Sequence, residues 1–256
     1  MSEDRSVLSR AAREPDEELR YGDDADQVID YWHAKEYRPL VVFVHGGFWR
    51  PEFDRMHARP LAQALSDLGW PVVSLGYRRE PGDPDATASD IRTALERLPD
   101  LVDVHAGYVL MGHSAGGQLA LWAAATLNPV HLRGVIALAP VADLLMADRL
   151  GLDKGAVQDF IGSGVRNDLD PTYLPASIAP VTIIHGTADA RVSLSVAESY
   201  FIVHPTARFI CVDDAAHFDL IDPLKEAWHE VTAELTRLTG HEPAKQTGKR
   251  TQRRSD

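Results

Sequence analysis

The chain has 256 residues, of which 45% are hydrophobic and 25% charged, and its formal net charge is −12. This composition is typical of one large globular domain, and the acidic charge argues against a nucleic-acid-binding body. The single cysteine, Cys211, excludes an intramolecular disulfide and any metal site built from several cysteines. Because Cys211 lies in the apolar run 208–212, we expect it to be a buried strand residue.

The two ends of the chain are polar. Residues 1–20 are charged and lack the apolar stretch of a secretory signal, and no apolar run approaches the roughly 20 residues of a membrane span. We therefore expect a cytoplasmic protein with neither a membrane nor a nucleic acid as partner. Residues 1–20 are predicted to be a flexible N-terminal arm or an exposed helix. Residues 241–256 carry several Lys and Arg residues and are predicted to be a disordered basic tail.

Between these ends, short apolar runs alternate with segments of helical periodicity. The run 40–44 is continuously apolar, which is typical of a strand buried on both faces. Strands are predicted at 27–32, 40–44, 71–75, 107–111, 132–138, 180–184 and 207–212. Helices are predicted at 60–68, at 90–98 with Pro99 as the stop, at 118–127, at 193–203 and over most of 218–238.

The alternation of strands and helices predicts a doubly wound, mostly parallel sheet of the α/β class over residues 21–240. Residues 141–177 interrupt this alternation with glycines, prolines and short helical pieces. We expect them to be a small cap insertion over one end of the sheet. Functional sites in such sheets gather at the C-terminal ends of the strands, and each notable polar motif of this chain falls at such an end.

The motif with the most specific chemistry is Gly112-His113-Ser114-Ala115-Gly116, which follows a predicted strand and opens a helix. It fits Gly-x-Ser-x-Gly, the nucleophile elbow, in the strand–turn–helix context that this motif requires. The glycines have a steric purpose, because strand and helix must approach closely around a serine with a strained backbone. For the pentapeptide alone, the alternative is a surface serine on a glycine-rich turn.

A serine nucleophile needs an imidazole to accept its proton and a carboxylate to orient that imidazole. Asp189 and His217 each follow a predicted strand, so the chain supplies Ser114, Asp189 and His217 from three strand ends. This order of serine, acid and base along the chain is one that serine triads use. We therefore predict that Ser114 is the nucleophile, Asp189 the acid and His217 the base.

Several residues compete for the roles of acid and base. Asp143 follows an earlier strand, and residues 213–214, both aspartates, lie too near His217 on the same loop. Asp189 could instead be a turn aspartate with Arg191 as its ion partner. Among the eleven histidines, only His217 lies on the last strand-to-helix loop. The other histidines in strand-end motifs are predicted to brace loops: His45, His113 and His185.

The third requirement is an oxyanion hole, in which backbone N–H groups point to the carbonyl oxygen that gains charge. Removing one such donor typically costs roughly 10²–10³ in rate. The N–H of Ala115 is one candidate, and Gly46, Gly47 and Phe48 offer the others. An ordinary glycine turn is the alternative for the Gly46–Phe48 segment, and it is the weaker interpretation beside Ser114.

Aromatic residues near these motifs could form a substrate pocket. We predict that Phe48 and Trp49 bind substrate, and that Tyr77 and Trp122 could join them, although core packing is at least as good an explanation for Trp122. No histidine pair has metal-ligand spacing, no acidic loop resembles a calcium site, and no glycine-rich phosphate loop occurs. We therefore expect neither a metal nor a cofactor.

Over residues 21–240 the chain resembles the α/β-hydrolase superfamily in the order and spacing of its elements. The segment His45-Gly46-Gly47-Phe48-Trp49 looks like the His-Gly-Gly-x-Trp signature of the kynurenine formamidase (arylformamidase) branch, which small bacterial esterases share. It departs from the His-Gly-Gly-Gly of lipase-type esterases at Phe48. His217-Phe218-Asp219 resembles the base loop of the formamidases. The resemblance implies the same triad and an oxyanion hole at Gly46–Phe48.

These patterns together predict a serine hydrolase that cleaves an ester or an N-formyl aryl amide through an acyl-Ser114 intermediate. The resemblance implies N-formylkynurenine as the substrate, with kynurenine and formate as products. A broad short-acyl carboxylesterase is the alternative in the same class, and a non-catalytic binding protein is the alternative in another class. The expected partner is a small-molecule ester or formamide, and a homodimer is one option for the assembly.

Overall fold

The computed structural model of the protein describes residues 3–243, so residues 244–256 of the predicted basic tail lie outside the described part. Within residues 3–243, eight strands form one sheet: β1 (Glu17–Arg20), β2 (Val28–Trp32), β3 (Leu40–Val44), β4 (Val72–Leu75), β5 (Tyr108–His113), β6 (Leu132–Leu138), β7 (Val181–Gly186) and β8 (Arg208–Val212). The α-helices of the same residues are α1 (Arg59–Asp67), α2 (Pro84–Leu101), α3 (Ala115–Thr126), α4 (Leu144–Arg149), α5 (Ala156–Ile161), α6 (Leu194–Val203) and α7 (Trp228–Thr239).

The strands lie in the order β1-β2-β4-β3-β5-β6-β7-β8. The pairs β1–β2 and β2–β4 are antiparallel, and every pair from β4 to β8 is parallel. The parallel part places the C-terminal ends of β3, β5, β7 and β8 along one edge of the sheet. The predicted doubly wound, mostly parallel α/β sheet is confirmed, and it brings the strand-end motifs to the same edge.

The central strands are buried on both faces of the sheet, as the continuous apolar runs predicted. Alternate residues of β3 enter different cores: Val42 and Val44 pack with one cluster, and Val41 and Phe43 with the other. The first cluster lies under α2, α3 and α6, and the second lies under α1 and α7. The two-sided core fixes the register of β3 against β5, in which Val44 is opposite Gly112.

The N-terminal segment differs from the flexible arm or exposed helix expected at 1–20. Residues Ser6–Ser9 form a 3-10 helix, and Glu17–Arg20 pair with β2 as the first strand of the sheet. Val7 is buried in the core cluster on the α1 and α7 side, and Arg10 Nη2 donates to Asp222 Oδ2 at 2.8 Å. These contacts join residues more than 200 positions apart, so the polar composition of the segment could not predict them.

Two further expectations need correction. The helix predicted at 90–98 begins at Pro84, because Asp83 accepts the N–H of Ala86 and Pro84 occupies a first-turn position that needs no N–H donor. It runs past Pro99 to Leu101, since a proline in the last turn removes few intrahelical hydrogen bonds. Cys211 is exposed, because β8 is the edge of the sheet and is not covered on both faces.

The segment 141–177 contains α4, α5 and two 3-10 helices, Leu152–Lys154 and Pro171–Tyr173. It lies between β6 and β7 in the chain, and its Asp153 and Lys154 reach the cavity described below. In the described part of the chain, no helix has the length and apolarity needed to cross a bilayer.

Candidate active site

Ser114 lies between β5 and α3 with φ 57° and ψ −119°, a backbone conformation that residues other than glycine rarely adopt. The surrounding glycines make this turn possible. A Cβ on Gly112 would lie 2.1 Å from the carbonyl oxygen of Gly116, and a Cβ on Gly116 would lie 2.1 Å from that of Val44. The chain therefore turns from strand to helix without room for a side chain on either side of the serine.

Ser114 lines a cavity of about 390 Å³, together with His113, His217 and the Gly47–Phe48 loop. The residue is only 2% exposed, and its Oγ has no hydrogen-bond partner among residues 3–243. A buried hydroxyl without a hydrogen-bond partner lowers the stability of the fold, so a purely structural serine would be expected to have a partner. The hydroxyl is thus placed to meet a molecule that enters the cavity.

His217 and Asp189 form a hydrogen-bonded pair beside this serine. His217 Nδ1 lies 2.7 Å from Asp189 Oδ2, which leaves the other ring nitrogen of His217 for the cavity. Asp189 Oδ1 accepts the backbone N–H groups of Arg191 and Val192 at 2.8 and 2.9 Å. The carboxylate is therefore held on both oxygens, and it fixes the orientation of the imidazole.

Within the His217–Asp189 pair, the carboxylate of Asp189 is held in its charged form. Burial alone raises the pKa of Asp189, but hydrogen bonds from His185 and His217 outweigh burial and hold this pKa well below its ordinary value. His185 Nε2 lies 3.3 Å from Asp189 Oδ2 and 2.9 Å from the carbonyl oxygen of Val192. His185 thus supports the carboxylate from behind, in agreement with its predicted bracing role.

The competing aspartates have other partners. Asp143 accepts the N–H of Met146 as the N-cap of α4 and the hydroxyl of Ser199. Residues 213–214 are exposed on the loop after β8. Arg191 directs its guanidinium to Glu3 at 2.5 Å, and only its backbone N–H contacts Asp189. The alternative in which Asp189 is a turn aspartate paired with the Arg191 side chain does not describe this loop.

The Gly46–Phe48 segment passes beside Ser114. A Cβ on Gly46 would lie 2.8 Å from the carbonyl oxygen of His113 and 3.0 Å from Ser114 Cβ, so only glycine fits there. Gly47 and Phe48 have φ angles of 116° and 52°. The N–H groups of Gly47, Phe48 and Ala115 have no acceptor among the described residues. These three N–H groups are available to an oxyanion, and the N–H of Gly46 likewise has no acceptor among the described residues.

Two buried side chains hold this segment in place. His45 Nδ1 lies 2.7 Å from the carbonyl oxygen of Gly46, and the hydroxyl of Tyr77 donates to the carbonyl oxygen of His45 at 2.8 Å. The two rings stack with their centroids 4.4 Å apart. Tyr77 therefore braces the loop from behind, and it does not line the cavity.

Of the aromatic residues predicted to bind substrate, only Phe48 lines the cavity. Trp49 turns away: its ring stacks on Phe160 with centroids 4.4 Å apart, and its Nε1 donates to Gln118 Oε1 at 3.2 Å. The positive φ at both Phe48 and Trp49 sends these neighbouring side chains in different directions. Trp122 likewise packs in the core and donates Nε1 to the carbonyl oxygen of Asp168.

Several cavity residues were not among the sequence-based predictions. Phe53 and His57 follow the Gly46–Phe48 segment and contribute an apolar wall and an imidazole. Phe218 could have been found, because it follows His217 directly. The N-terminal residues Arg5 and Leu8 could not have been found by motif. The complete lining is Arg5, Leu8, Gly47, Phe48, Arg50, Glu52, Phe53, His57, His113, Ser114, Asp153, Lys154, Arg191, His217 and Phe218.

Three histidines around the site are held neutral: His45 and His113 are buried, and His57 is half-buried. Burial lowers the pKa values of His45 and His113 well below the usual value for histidine, and it lowers the pKa of His57 to about 4. His113 Nε2 lies 3.0 Å from the carbonyl oxygen of His217, so this histidine supports the base loop. His217 is therefore the cavity histidine that is oriented by a carboxylate.

Comparisons with known proteins identify the family of the chain. The family model described as BD-FAE matches residues 30–201. Kynurenine formamidase from Danio rerio is 22% identical over 242 residues, which cover 87% of this chain and 81% of that protein. Esterase LipC from Mycobacterium tuberculosis is 31% identical over 117 residues, which cover 42% of this chain but only 29% of LipC.

Solved structures share the fold. Esterase B from Lactobacillus rhamnosis superposes with a TM-score of 0.69 at 20% identity, covering 91% of this chain and 88% of that chain. Esterase 2 from Thermogutta terrifontis superposes with a TM-score of 0.66 at 19% identity, covering 86% and 93%. The predicted resemblance to α/β-hydrolases is confirmed, and the chain is a hydrolase by its relatives.

Proposed function

The chain belongs to the BD-FAE family of α/β-hydrolases, and on this premise we propose that it is a serine hydrolase acting on an N-formyl aryl amide. The observation that carries the proposal is the position of Ser114 in one cavity with His217, whose Nδ1 is held by Asp189 at 2.7 Å. The kynurenine formamidase relative supports N-formylkynurenine as the substrate.

We propose that the reaction uses these residues as follows. Ser114 Oγ attacks the formyl carbonyl carbon while the free ring nitrogen of His217 takes its proton, and Asp189 stabilises the imidazolium. In this proposal the unpaired N–H groups of Gly47, Phe48 and Ala115 receive the negative oxygen. His217 then donates the proton to the departing aryl amine, and water, activated by the same imidazole, releases formate and restores Ser114.

The cavity supports an aromatic leaving group. Phe48, Phe53 and Phe218 line it, and a planar aryl amine gains contact area against such rings. An aryl amine is also a better leaving group than an alkyl amine, which fits a hydrolase that must break a C–N bond. We propose a cytoplasmic location with no nucleic-acid or membrane partner, as the sequence led us to expect.

A short-acyl carboxylesterase is the second candidate. Arg5, Glu52 and Lys154 at the rim of the cavity are exposed, so the entrance admits leaving groups that extend beyond the aromatic interior. The mycobacterial relative is named an esterase, although the chain spans less than a third of its length. An ester uses the same nucleophile, base and oxyanion donors.

The test measures kcat/KM for N-formylkynurenine and for 4-nitrophenyl acetate with the purified protein and with Ser114→Ala. We expect turnover of the formamide and a loss of at least about 10⁴-fold in kcat for the variant, since the nucleophile is removed. Ser89→Ala, an exposed serine on α2, is the matched control and is expected to match wild type.

Each outcome separates the candidates. Turnover of the ester without the formamide would select the carboxylesterase. A fluorophosphonate probe that labels neither wild type nor Ser89→Ala would favour the non-catalytic binding protein. Full activity in Ser114→Ala would contradict the serine mechanism.

A further inference from the structure

The wall of the cavity is basic although the protein is acidic. Four cationic side chains line the cavity, Arg5, Arg50, Lys154 and Arg191, whereas the whole chain has a formal net charge of −12. The lining contains two carboxylates, Glu52 and Asp153. Unpaired cations at a cavity raise the local concentration of anionic ligands there, even on a protein of net negative charge.

Two of the four cations already have carboxylate partners. Arg50 Nε lies 2.9 Å from Asp153 Oδ2, and Arg191 Nε lies 2.5 Å from Glu3 Oε2. Among residues 3–243, no carboxylate lies within 4.0 Å of the charged nitrogens of Arg5 or Lys154. Likewise, no cationic side chain of these residues lies within 4.0 Å of the carboxylate of Glu52. Arg50 also contacts a second carboxylate, Asp159, at 3.0 Å. Arg5 and Lys154 are therefore the cations of the lining that have no carboxylate partner in the described part of the chain.

The positions of Arg5 and Arg191 relate this charge to the reaction. Both guanidinium groups lie over the ring of Phe218, at 5.7 and 5.1 Å from its centroid. The Phe218 ring lies in turn 5.1 Å from the imidazole of His217. Because His217 must pass its proton to the leaving group, the leaving group lies on the side of the cavity where these cations are.

We propose that Arg5 and Lys154 form a subsite for a carboxylate carried by the leaving group of the substrate. The substrate class is then an aryl ester or aryl formamide with an anionic leaving group. This inference rests on the proposed function only in assigning the carboxylate to the leaving group. Arg5 is supplied by the N-terminal segment, which buried Val7 and the Arg10–Asp222 ion pair hold against the domain.

The test compares two esters that differ in one charge, 4-acetoxybenzoate and its neutral amide analogue 4-acetoxybenzamide. The measured quantity is the ratio of kcat/KM for the anionic ester to kcat/KM for the neutral ester. In Arg5→Gln and in Lys154→Gln this ratio is expected to fall roughly 1.5- to fivefold each, as for an exposed charge pair. Added salt lowers the wild-type ratio, because it screens an exposed pair.

Arg92→Gln is the matched control. Arg92 also places a guanidinium over an aromatic ring, 6.0 Å from the centroid of Trp122, but it lies outside the cavity. The control is expected to keep the wild-type ratio, and Arg5→Lys is expected to restore most of it. An unchanged ratio in both Arg5→Gln and Lys154→Gln would overturn the proposal.

Binding to Ser114→Ala tests the same preference without turnover. Titration calorimetry with the two intact esters is expected to give tighter binding of 4-acetoxybenzoate, and Arg5→Gln on the Ser114→Ala background is expected to remove this preference. If wild type hydrolyses neither N-formylkynurenine nor either ester but the binding preference is present, the proposed function fails and the carboxylate subsite stands. If both esters are hydrolysed and bound alike, the subsite fails and the hydrolase stands.

Discussion

At the scale of single residues, the site depends on one serine and one carboxylate in unusual surroundings. Ser114 has a backbone conformation that costs on the order of 1–3 kcal/mol and persists only when the neighbouring structure enforces it. Asp189 is buried yet accepts hydrogen bonds on both oxygens, which hold its pKa low and its charge in place. The proposed reaction requires this charge, because it orients His217 and stabilises its protonated form.

Asp189→Asn tests this role of the carboxylate. The amide keeps the shape of the side chain but cannot stabilise an imidazolium, and it favours the wrong tautomer of His217. We expect kcat to fall by about 10⁴-fold while the fold is retained, as for the same change in other serine triads. Steady-state kinetics and circular dichroism measure the two quantities.

The controls for this substitution are the competing aspartates. Asp213→Asn, on an exposed loop residue, is expected to leave kcat unchanged. Asp143→Asn is expected to affect stability alone, by about 1 kcal/mol or less, because asparagine is also a good N-cap. A large loss of kcat in either control, together with an active Asp189→Asn, would assign the role of the triad acid to another aspartate.

At the scale of elements, the close approach of α3 to β3 decides where the hydroxyl lies. Gly116 is in the first turn of α3, and the position of a Cβ there is 2.4 Å from the carbonyl oxygen of His45, at the end of β3. Gly116 belongs to the elbow and His45 directly precedes the Gly46–Phe48 segment, so their contact sets the spacing between the elbow and that segment. The distance between nucleophile and oxyanion donors thus depends on glycine at this position.

Gly116→Ala tests this dependence. The methyl group would overlap backbone atoms that cannot move as a flexible side chain can, so α3 must shift away from the sheet. We expect a loss of roughly 1–3 kcal/mol in the free energy of unfolding from overpacking, with a larger loss of kcat than of substrate binding. Urea unfolding and steady-state kinetics measure these effects.

Ala125→Gly in the same helix is the control. It removes a Cβ far from the elbow and is expected to cost about 1 kcal/mol through helix propensity, with normal kcat. Normal kcat in Gly116→Ala would contradict the steric role assigned to the elbow.

At the scale of the whole molecule, stability depends on keeping several buried or half-buried histidines neutral. Burial lowers the pKa of His57 to about 4, while in the unfolded chain an ordinary histidine titrates near 6.5. Between these values the unfolded state binds more protons than the folded state, so the free energy of unfolding falls as the pH falls. His45 and His113 act in the same direction.

The acid sensitivity of His57→Gln tests this linkage. Wild type is expected to lose about 2 kcal/mol from the titration of His57 between pH 7 and pH 5, and the variant lacks this contribution. The difference is measured by urea unfolding at the two pH values. His105→Gln, an exposed histidine, is the control and should keep the wild-type pH dependence. Equal pH dependence in His57→Gln and wild type would contradict the linkage.

The sequence by itself determined the α/β class, the elbow and the strand ends that carry Asp189 and His217. These features depend on local rules: apolar runs, helical periodicity and glycines at a strand-to-helix turn act over a few residues. The parallel sheet then brings the ends of β5, β7 and β8 together, because parallel strands point the same way. For this reason the amino-acid sequence is sufficient to predict Ser114, Asp189 and His217 as one group.

Only the tertiary structure decided which side chains face the cavity. The positive φ values after Gly46 send Phe48 inward and Trp49 toward Phe160, a choice that no periodicity encodes. The N-terminal segment packs across the base loop through Val7, Arg5 and ion pairs to distant residues, so polar composition suggested a free arm. Contacts between residues far apart in the chain depend on the assembled core, and that core exists only in the folded molecule.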